Sequence, residues 1–170
     1  MTTGVQIETE CLSLREITLD DADLIVDLFS DSETMDSYRG ALTPQDTRVW
    51  IEAVIASWKE KGYGYWVLFL KGTDTFIGTA GLFDQEIDGE METEVGYVIE
   101  HQYWGQGFAS EIAHACYDFA LNRTDLDRVV TIIDPRNSAA VHLAEKYGLS
   151  FLKQSAKWGR TVHVYAISRA

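Results

Sequence analysis

The residues with the most chemical content lie between Glu94 and Ser110, which read E-V-G-Y-V-I-E-H-Q-Y-W-G-Q-G-F-A-S. Val95, Tyr97 and Ile99 alternate with Glu94, Gly96, Val98 and Glu100, the period-2 pattern of a half-buried strand. The run breaks at Gly105 and Gly107 and then passes into an apolar helical pattern. A strand, a glycine-bearing loop and a helix start place several free backbone N–H groups around one concavity. The helix dipole adds partial positive charge at the same place. The spacing predicts an anion cradle, with phosphate as its anion. A side chain at Gly105 or Gly107 would hold the backbone away from that phosphate.

The elements that must position this stretch follow from the rest of the pattern. Leu12, Leu14 and Ile17 read as a first strand, with Ser13 and Arg15 on its other face. Thr18 caps a helix whose start carries Asp20, Asp21 and Asp23 and whose buried stripe is Leu24, Ile25, Leu28 and Phe29. Ser30 to Arg39 is polar and holds at most a broken helical turn. Thr43-Pro44 opens a second helix, which buries Trp50, Ile51, Val54, Ile55 and Trp58 and stops at Gly62. Tyr65 to Leu70 and Phe76 to Leu82 read as strands around a turn at Gly72 to Asp74. Asp84 to Glu90 reads as an acidic loop leading into the Glu94 strand.

Beyond the glycines, Ile112, Ala115, Cys116, Phe119 and Ala120 make a helical apolar face that ends near Asn122. Arg128 to Ile133 is a further strand, and Asp134-Pro135-Arg136-Asn137 turns the chain into a helix from Ser138 to Tyr147, closed by Gly148. Ser150 to Trp158 and Arg160 to Ile167 pair as a hairpin around Lys157-Trp158-Gly159-Arg160. Antiparallel hairpins thus flank a central strand–helix–strand unit. That order implies an α/β (α+β) architecture, a mixed sheet with helices packed on it.

Composition sets the limits on partners. The 170 residues suit one domain, spanning 1–170. A hydrophobic share of 46% with 24% charged residues fits a soluble globular chain. No apolar run approaches the roughly 20 residues of a membrane span, and Met1-Thr2-Thr3-Gly4 lacks the basic flank of a secretory signal. Cys11 and Cys116 read as small core residues rather than a staple, so a cytoplasmic setting is expected. With 27 acids against 14 bases, the surface disfavours nucleic acid and anionic membrane and favours a cationic small molecule or basic peptide. The four histidines show no ligand spacing with one another or with the cysteines, so no metal is expected.

Competing phosphate loops fail on particular residues. No Lys follows either glycine, as a nucleoside-triphosphate P-loop requires. The third place of G-x-G-x-x-G is Ser110, and Asp134 comes too late to hold a ribose. What the stretch satisfies is Q/R-x-x-G-x-G/A, through Gln102, Gly105 and Gly107. With that block the chain resembles the GNAT acetyltransferase superfamily, and within it the RimJ/RimL-type branch. Leu14-Arg15 with Thr18 to Ala22 is similar to L-R-x-x-x-x-x-D-A, and Phe76 to Leu82 to F-I-G-x-x-G-L. Glu94 to Tyr97, Tyr103 to Glu111 and Asn137 to Gly148 resemble the E-x-G-Y, Y-W-G-x-G-x-A-x-E and N-x-A-S-x-x-x-L-E-K-x-G blocks.

The resemblance implies a mostly antiparallel seven-stranded sheet with four main helices, splayed between its fourth and fifth strands. It implies acetyl-CoA as co-substrate, with Val98 and Ile99 pairing main chain to pantetheine and Asn137 bonding the same arm. The N–H groups from Gln102 to Ala109, including those of Gly105, Gln106, Gly107 and Phe108, would cradle the pyrophosphate. The implied reaction is direct attack of a primary amine, on a protein N-terminus or a small cationic molecule, upon the thioester. Glu94 is the candidate general base, its pKa raised by Glu86, Glu90 and Glu92, and the Val98 N–H the oxyanion donor. The usual proton donors fall on Ala140 and Ala144, so the general acid is unassigned, with Ser138, His142 and Tyr147 as neighbours only. The competing reading is a catalytically silent acyl-CoA-binding module. Exposed strand edges leave room for a homodimer.

Overall fold

The computed structural model describes residues 6–169, so Met1 to Gly4 lies outside the described residues. The strands are β1 Gln6–Glu8, β2 Leu12–Glu16, β3 Tyr65–Leu70, β4 Phe76–Ile87, β5 Glu90–Ile99, β6 Arg128–Ile133, β7 Ser150–Lys157 and β8 Arg160–Ser168. They form one sheet in the order β1-β2-β3-β4-β5-β6-β8-β7. Every neighbouring pair is antiparallel except β5 and β6, which are parallel and meet at a single register point, Glu94 opposite Val130. The sheet is therefore splayed where the sequence placed the splay. It has eight strands rather than seven because Gln6–Glu8 adds a three-residue edge against Ser13 to Arg15, too short to register as a period.

Among the described residues five helices accompany the sheet: α1 Ala22–Ser30, α2 Ser32–Met35, α3 Pro44–Lys61, α4 Phe108–Arg123 and α5 Ser138–Tyr147. Four of them are long, and α2 is the single turn within the polar segment. Thr43 caps α3 by accepting from the Asp46 N–H at 3.0 Å, Pro44 follows, and Gly62 ends the helix in the left-handed region at φ +78°. Trp58 then donates its indole N–H to the Tyr65 carbonyl at 2.9 Å, which ties α3 to β3. Ile25, Leu28 and Phe29 of α1 are buried, but Leu24 is 42% exposed. The 3₁₀ turn Leu19–Asp21 precedes α1, and residues 25, 28 and 29 already fill its inward face. No helix among the described residues is long and apolar enough to cross a membrane.

Two other expectations are corrected. Asp84 to Glu90 is no loop: β4 runs on to Ile87, β5 begins at Glu90, and Asp88-Gly89 turns the chain with φ values of +52° and +84°. An Asp-Gly pair with two positive φ angles is the tight hairpin turn whose twist matches the strands it joins. The acids of this hairpin are also engaged. Asp84 binds Lys61, Tyr63 and Thr93, and Asp88 binds Lys153 and Ser155. Cys11 is exposed rather than a core residue, while Cys116 is buried and both thiols are free.

The F-I-G-x-x-G-L strand owes its glycines to main-chain crowding. A Cβ on Gly78 would lie 2.1 Å from the Val98 carbonyl oxygen of β5, and one on Gly81 would lie 2.2 Å from the Gly64 carbonyl oxygen. Neither neighbour is a flexible side-chain end, so the strands themselves would have to part. Gly78→Ala is expected to lower the unfolding free energy by about 1–3 kcal/mol. Urea denaturation checks this, and an unchanged midpoint would show that β4 and β5 tolerate the separation.

Candidate active site

The splay opens a cavity of ≈ 340 Å³ between β5 and β6. Its walls come from Glu94 and Gly96 to Ile99 of β5, Thr131 to Ile133 of β6, the start of α4, the start of α5 and the polar segment around Tyr38. Thr131 marks where the strands part: its hydroxyl donates to the Val95 carbonyl at 2.9 Å, bridging a gap that ladder bonds no longer close. Gly96 lies on this wall because a Cβ there would sit 2.2 Å from the Tyr65 hydroxyl oxygen.

Glu94 is the one acid on the cavity wall, and it is 1% exposed. Its Oε1 accepts from Gln85 Nε2 at 3.3 Å, whereas Oε2 is buried with no hydrogen-bond partner. Burial pushes this carboxyl up to about 8. Arg39 opposes that shift most strongly, followed by the Gln85 hydrogen bond, Lys157 and the Ile132 N–H. The cause thus differs from the expected crowding by Glu86, Glu90 and Glu92. Glu86 and Glu90 are exposed, and Glu92 is paired with Arg128. Desolvation does what like charge was expected to do.

The glycine loop is a 3₁₀ turn, His101–Tyr103, followed by two left-handed glycines, Gly105 at φ +79° and Gly107 at φ +86°, the latter capping α4. At both, a Cβ would meet nothing within 4 Å. Their absent side chains therefore leave open space, and only glycine adopts these angles without strain. The N–H groups of Tyr103 and Trp104 are spent inside the turn, on the carbonyls of Glu100 and His101. The cradle therefore narrows from the expected Gln102–Ala109 to the N–H groups of Gly105 through Ala109. Gln102 is exposed and its amide binds Glu100 at 2.7 Å, and Gln106 is exposed as well.

Val98 lines the cavity, yet its main chain points away from it. Glu100 donates to the Ile77 carbonyl on the β4 side, and the β4–β5 register is unbroken, with Thr79 opposite Val98. On the other edge, the Val95 and Ile99 carbonyls accept from Thr131 and from Trp104 Nε1, at 2.9 and 2.8 Å. Main-chain groups alternate along a strand, so the N–H of Val98 faces Thr79. The edge groups that look into the splay are those of Tyr97 and Ile99. Ile99, one of the two residues expected to face the splay, presents its edge groups there, whereas those of Val98 face β4 and those of Tyr97 take their place.

Asn137 lies on the opposite wall and caps α5 by accepting from the Ala140 N–H at 3.1 Å. Ala140 lines the cavity and Ala144 is buried, so neither carries a proton donor. Ser138, His142 and Tyr147 lie outside the wall, and Tyr147 packs instead on His114 and Tyr117. The hydroxyl-bearing residues that do line the cavity are Tyr38 and Tyr103, together with Thr34, Ser37 and Thr131. Sequence reasoning missed Tyr38. Its only local signal was one aromatic in a polar segment. Burial first, and then Glu94, raises the Tyr38 phenol well above its usual range. Among the described residues no group of three or more His, Cys, Asp or Glu is placed to hold a metal ion.

A parted sheet, a run of N–H groups at a helix start and one desolvated carboxyl meet at this cavity. The chain belongs to the acetyltransferase (GNAT) domain family, which it matches over residues 12–150. It is 34% identical to the uncharacterized protein YkkB of Bacillus subtilis (strain 168), over 94% of this chain and 91% of that one. It is 32% identical to the uncharacterized N-acetyltransferase p20 of Bacillus licheniformis, over 94% and 93%. The crystal structure of an acetyltransferase from Agrobacterium tumefaciens str. C58 superposes with a TM-score of 0.84 at 23% identity, covering 99% of this chain and 97% of that one.

Proposed function

We propose that the protein is an acetyl-CoA-dependent N-acetyltransferase of the RimJ/RimL-type branch, acting directly on a primary amine. The observation that carries the reading is Glu94: a buried carboxyl with a free oxygen on the wall of the one splay in the sheet. The residues present fit the cofactor's parts. The N–H groups of Gly105 to Ala109 suit a pyrophosphate, and the open space at both glycines admits it. The edge groups of Tyr97 and Ile99 and the amide of Asn137 suit the amides of a pantetheine arm.

An alkylammonium must lose a proton before it attacks a carbonyl. Glu94 takes that proton, and its elevated pKa makes it a stronger base than an exposed glutamate. The Tyr97 N–H, nearer Glu94 along the edge than that of Ile99, supports the oxyanion as the new C–N bond forms. The C–S bond then breaks as the nitrogen gives up its second proton, which passes through solvent or a cavity hydroxyl to the departing thiolate. A cytoplasmic setting belongs to this reading, since two unpaired cysteines suit a reducing compartment.

The alanines at 140 and 144 keep the silent binding module as the competing reading. Thiol release from acetyl-CoA, followed across a panel of primary amines and N-terminal peptides, separates the two. Amine-dependent release is expected. Saturable CoA binding without release for any acceptor would favour the module.

A further inference from the structure

The hairpin turn between β7 and β8 holds a strained tryptophan. Trp158 has φ +54°, and Asp88 is the only other non-glycine described residue with positive φ. Asp tolerates that region through its short polar side chain, whereas for a bulky aromatic it is a genuine outlier. Strain of this kind persists where the surroundings enforce it, and it clusters at working sites. The Trp158 ring lies 5.4 Å from the ring of Tyr38, itself on the cavity wall. Two cations stand over it, Arg39 with Cζ at 5.2 Å and Lys157 with Nζ at 5.5 Å.

The charge pairing around this ring is uneven. Arg136 and Arg160 share Asp134, at 2.6 and 3.6 Å, and Arg160 also donates to the Asp36 carbonyl. Arg39 and Lys157 have no carboxylate within 4 Å among the described residues. Lys157 donates to the Glu86 main-chain carbonyl at 2.7 Å, and the buried Nε of Arg39 has no hydrogen-bond partner. Both act electrostatically on Glu94, and Arg39 directly follows Tyr38, which lines the cavity. In a chain with 27 acids and 14 bases, two adjacent cations without an acid are the reverse of the overall balance.

We propose that the acceptor is a small amino acid: its amine reaches Glu94, and its carboxylate is held by Arg39 and Lys157 at the Trp158 ring. The proposal rests on the transferase reading above and narrows its acceptor. It replaces the cation-seeking surface inferred from net charge, whose acids at Asp84 and Asp88 are already engaged. Arg is suited to the task because its planar fork meets a carboxylate with two parallel hydrogen bonds. Stacking on an aromatic ring holds such a fork in place before the ligand arrives.

The test uses acceptors that share one side chain: an α-amino acid, its carboxamide, and the amine lacking the carboxyl group. The amino acid is expected to show kcat/KM at least about tenfold above the other two, the equivalent of roughly 1.4 kcal/mol. Arg39→Gln should erase that advantage, mainly through KM, by lowering the amino acid's kcat/KM toward that of the two acceptors without a carboxylate. Lys157→Met should reduce it in the same sense. A flat preference, or an acidic dipeptide acetylated better than the amino acid, overturns the proposal. So does an Arg39→Gln loss shared equally by all three acceptors, which would assign Arg39 to tuning Glu94 alone. Calorimetry of the CoA-loaded protein with the N-acetylated amino acid and its carboxamide reads the carboxylate contact without turnover. Tighter binding of the acid, lost in Arg39→Gln, upholds the carboxylate site even where no acceptor is turned over, an outcome that overturns the transferase reading and leaves the amino acid as a ligand. Equal binding of the two overturns the carboxylate site.

Discussion

Glu94→Gln is expected to lower kcat/KM by about 10²–10³-fold and at the same time to make the protein more stable at alkaline pH. Both effects come from one cause. The carboxyl is 1% exposed, one of its oxygens has no partner, and burial raises it to about 8. As a base it must be ionised to act, so wild-type kcat/KM should rise with pH through a single limb centred near 8. Glutamine keeps the size of the side chain but accepts no proton, so the limb should vanish along with the rate. A limb that persists in the variant would move the base to another group.

The stability effect has a definite sign. The folded-state pKa lies above the ordinary glutamate value of 4.5. Between the two values the native protein holds a proton that the unfolded chain has released. Stability attributable to Glu94 is therefore fully present below pH 4.5 and is lost as pH rises toward 8. The slope approaches about 1.4 kcal/mol per pH unit inside that window. Thermal melts of the two proteins should differ little at pH 5 and diverge by pH 8–9, with the glutamine variant melting higher. Equal melting at both pH values would mean that the buried carboxyl is not the energetic burden its surroundings imply. Sites that trade stability for chemistry behave in this way.

This burial was not legible in the sequence. In E-V-G-Y-V-I-E the glutamates fall on the polar phase of the alternation, and Glu94 reads like any solvent-facing strand residue. What buries it is its parallel meeting with Val130 and the fold of β6, β7 and β8 beside it, contacts between distant stretches that no local period records. By contrast, β3 and β6 lie where the continuous runs Tyr65–Leu70 and Arg128–Ile133 put them. The helix α5 was bracketed by Asn137 and Gly148, whose side chain and φ of +112° cap its two ends. Boundaries written in single residues were readable, as were elements made of unbroken apolar runs.

Main-chain direction was not readable. Family spacing pointed to Val98 as a backbone donor, and only the hydrogen bonds at Val95, Ile99 and Glu100 show which edge each residue faces. Arg39 and Trp158 were invisible for a similar reason. One sits in a polar segment after α2 and the other in a hairpin turn, and only the fold sets the guanidinium over the Trp158 ring, beside the Tyr38 ring of the cavity wall. The acidic hairpin was lost to composition, because four charged residues between Asp84 and Glu90 hid an Asp-Gly turn.

Gly107→Val is the second substitution with a large expected effect, and its interpretation needs a matched control. Gly107 has φ +86°, so a branched residue there is strained whatever the space around it, at a cost of about 1–2 kcal/mol. Gly72 supplies the comparison: its φ is +76°, a Cβ on it would also meet nothing within 4 Å, and it lies in the β3–β4 turn, outside the cavity wall. Gly107→Val and Gly72→Val should therefore lose similar stability in urea. Only Gly107→Val should weaken CoA binding, by at least about tenfold in calorimetry, or roughly 1.4 kcal/mol. The two glycine roles separate in that difference. Backbone freedom is common to both positions, whereas an approach of main-chain N–H groups to phosphate belongs to Gly107 alone, at the start of α4. Should the Gly107 variant fold and bind CoA like the wild type, the glycine would be a turn residue only. The pyrophosphate would then have to be sought away from the helix start.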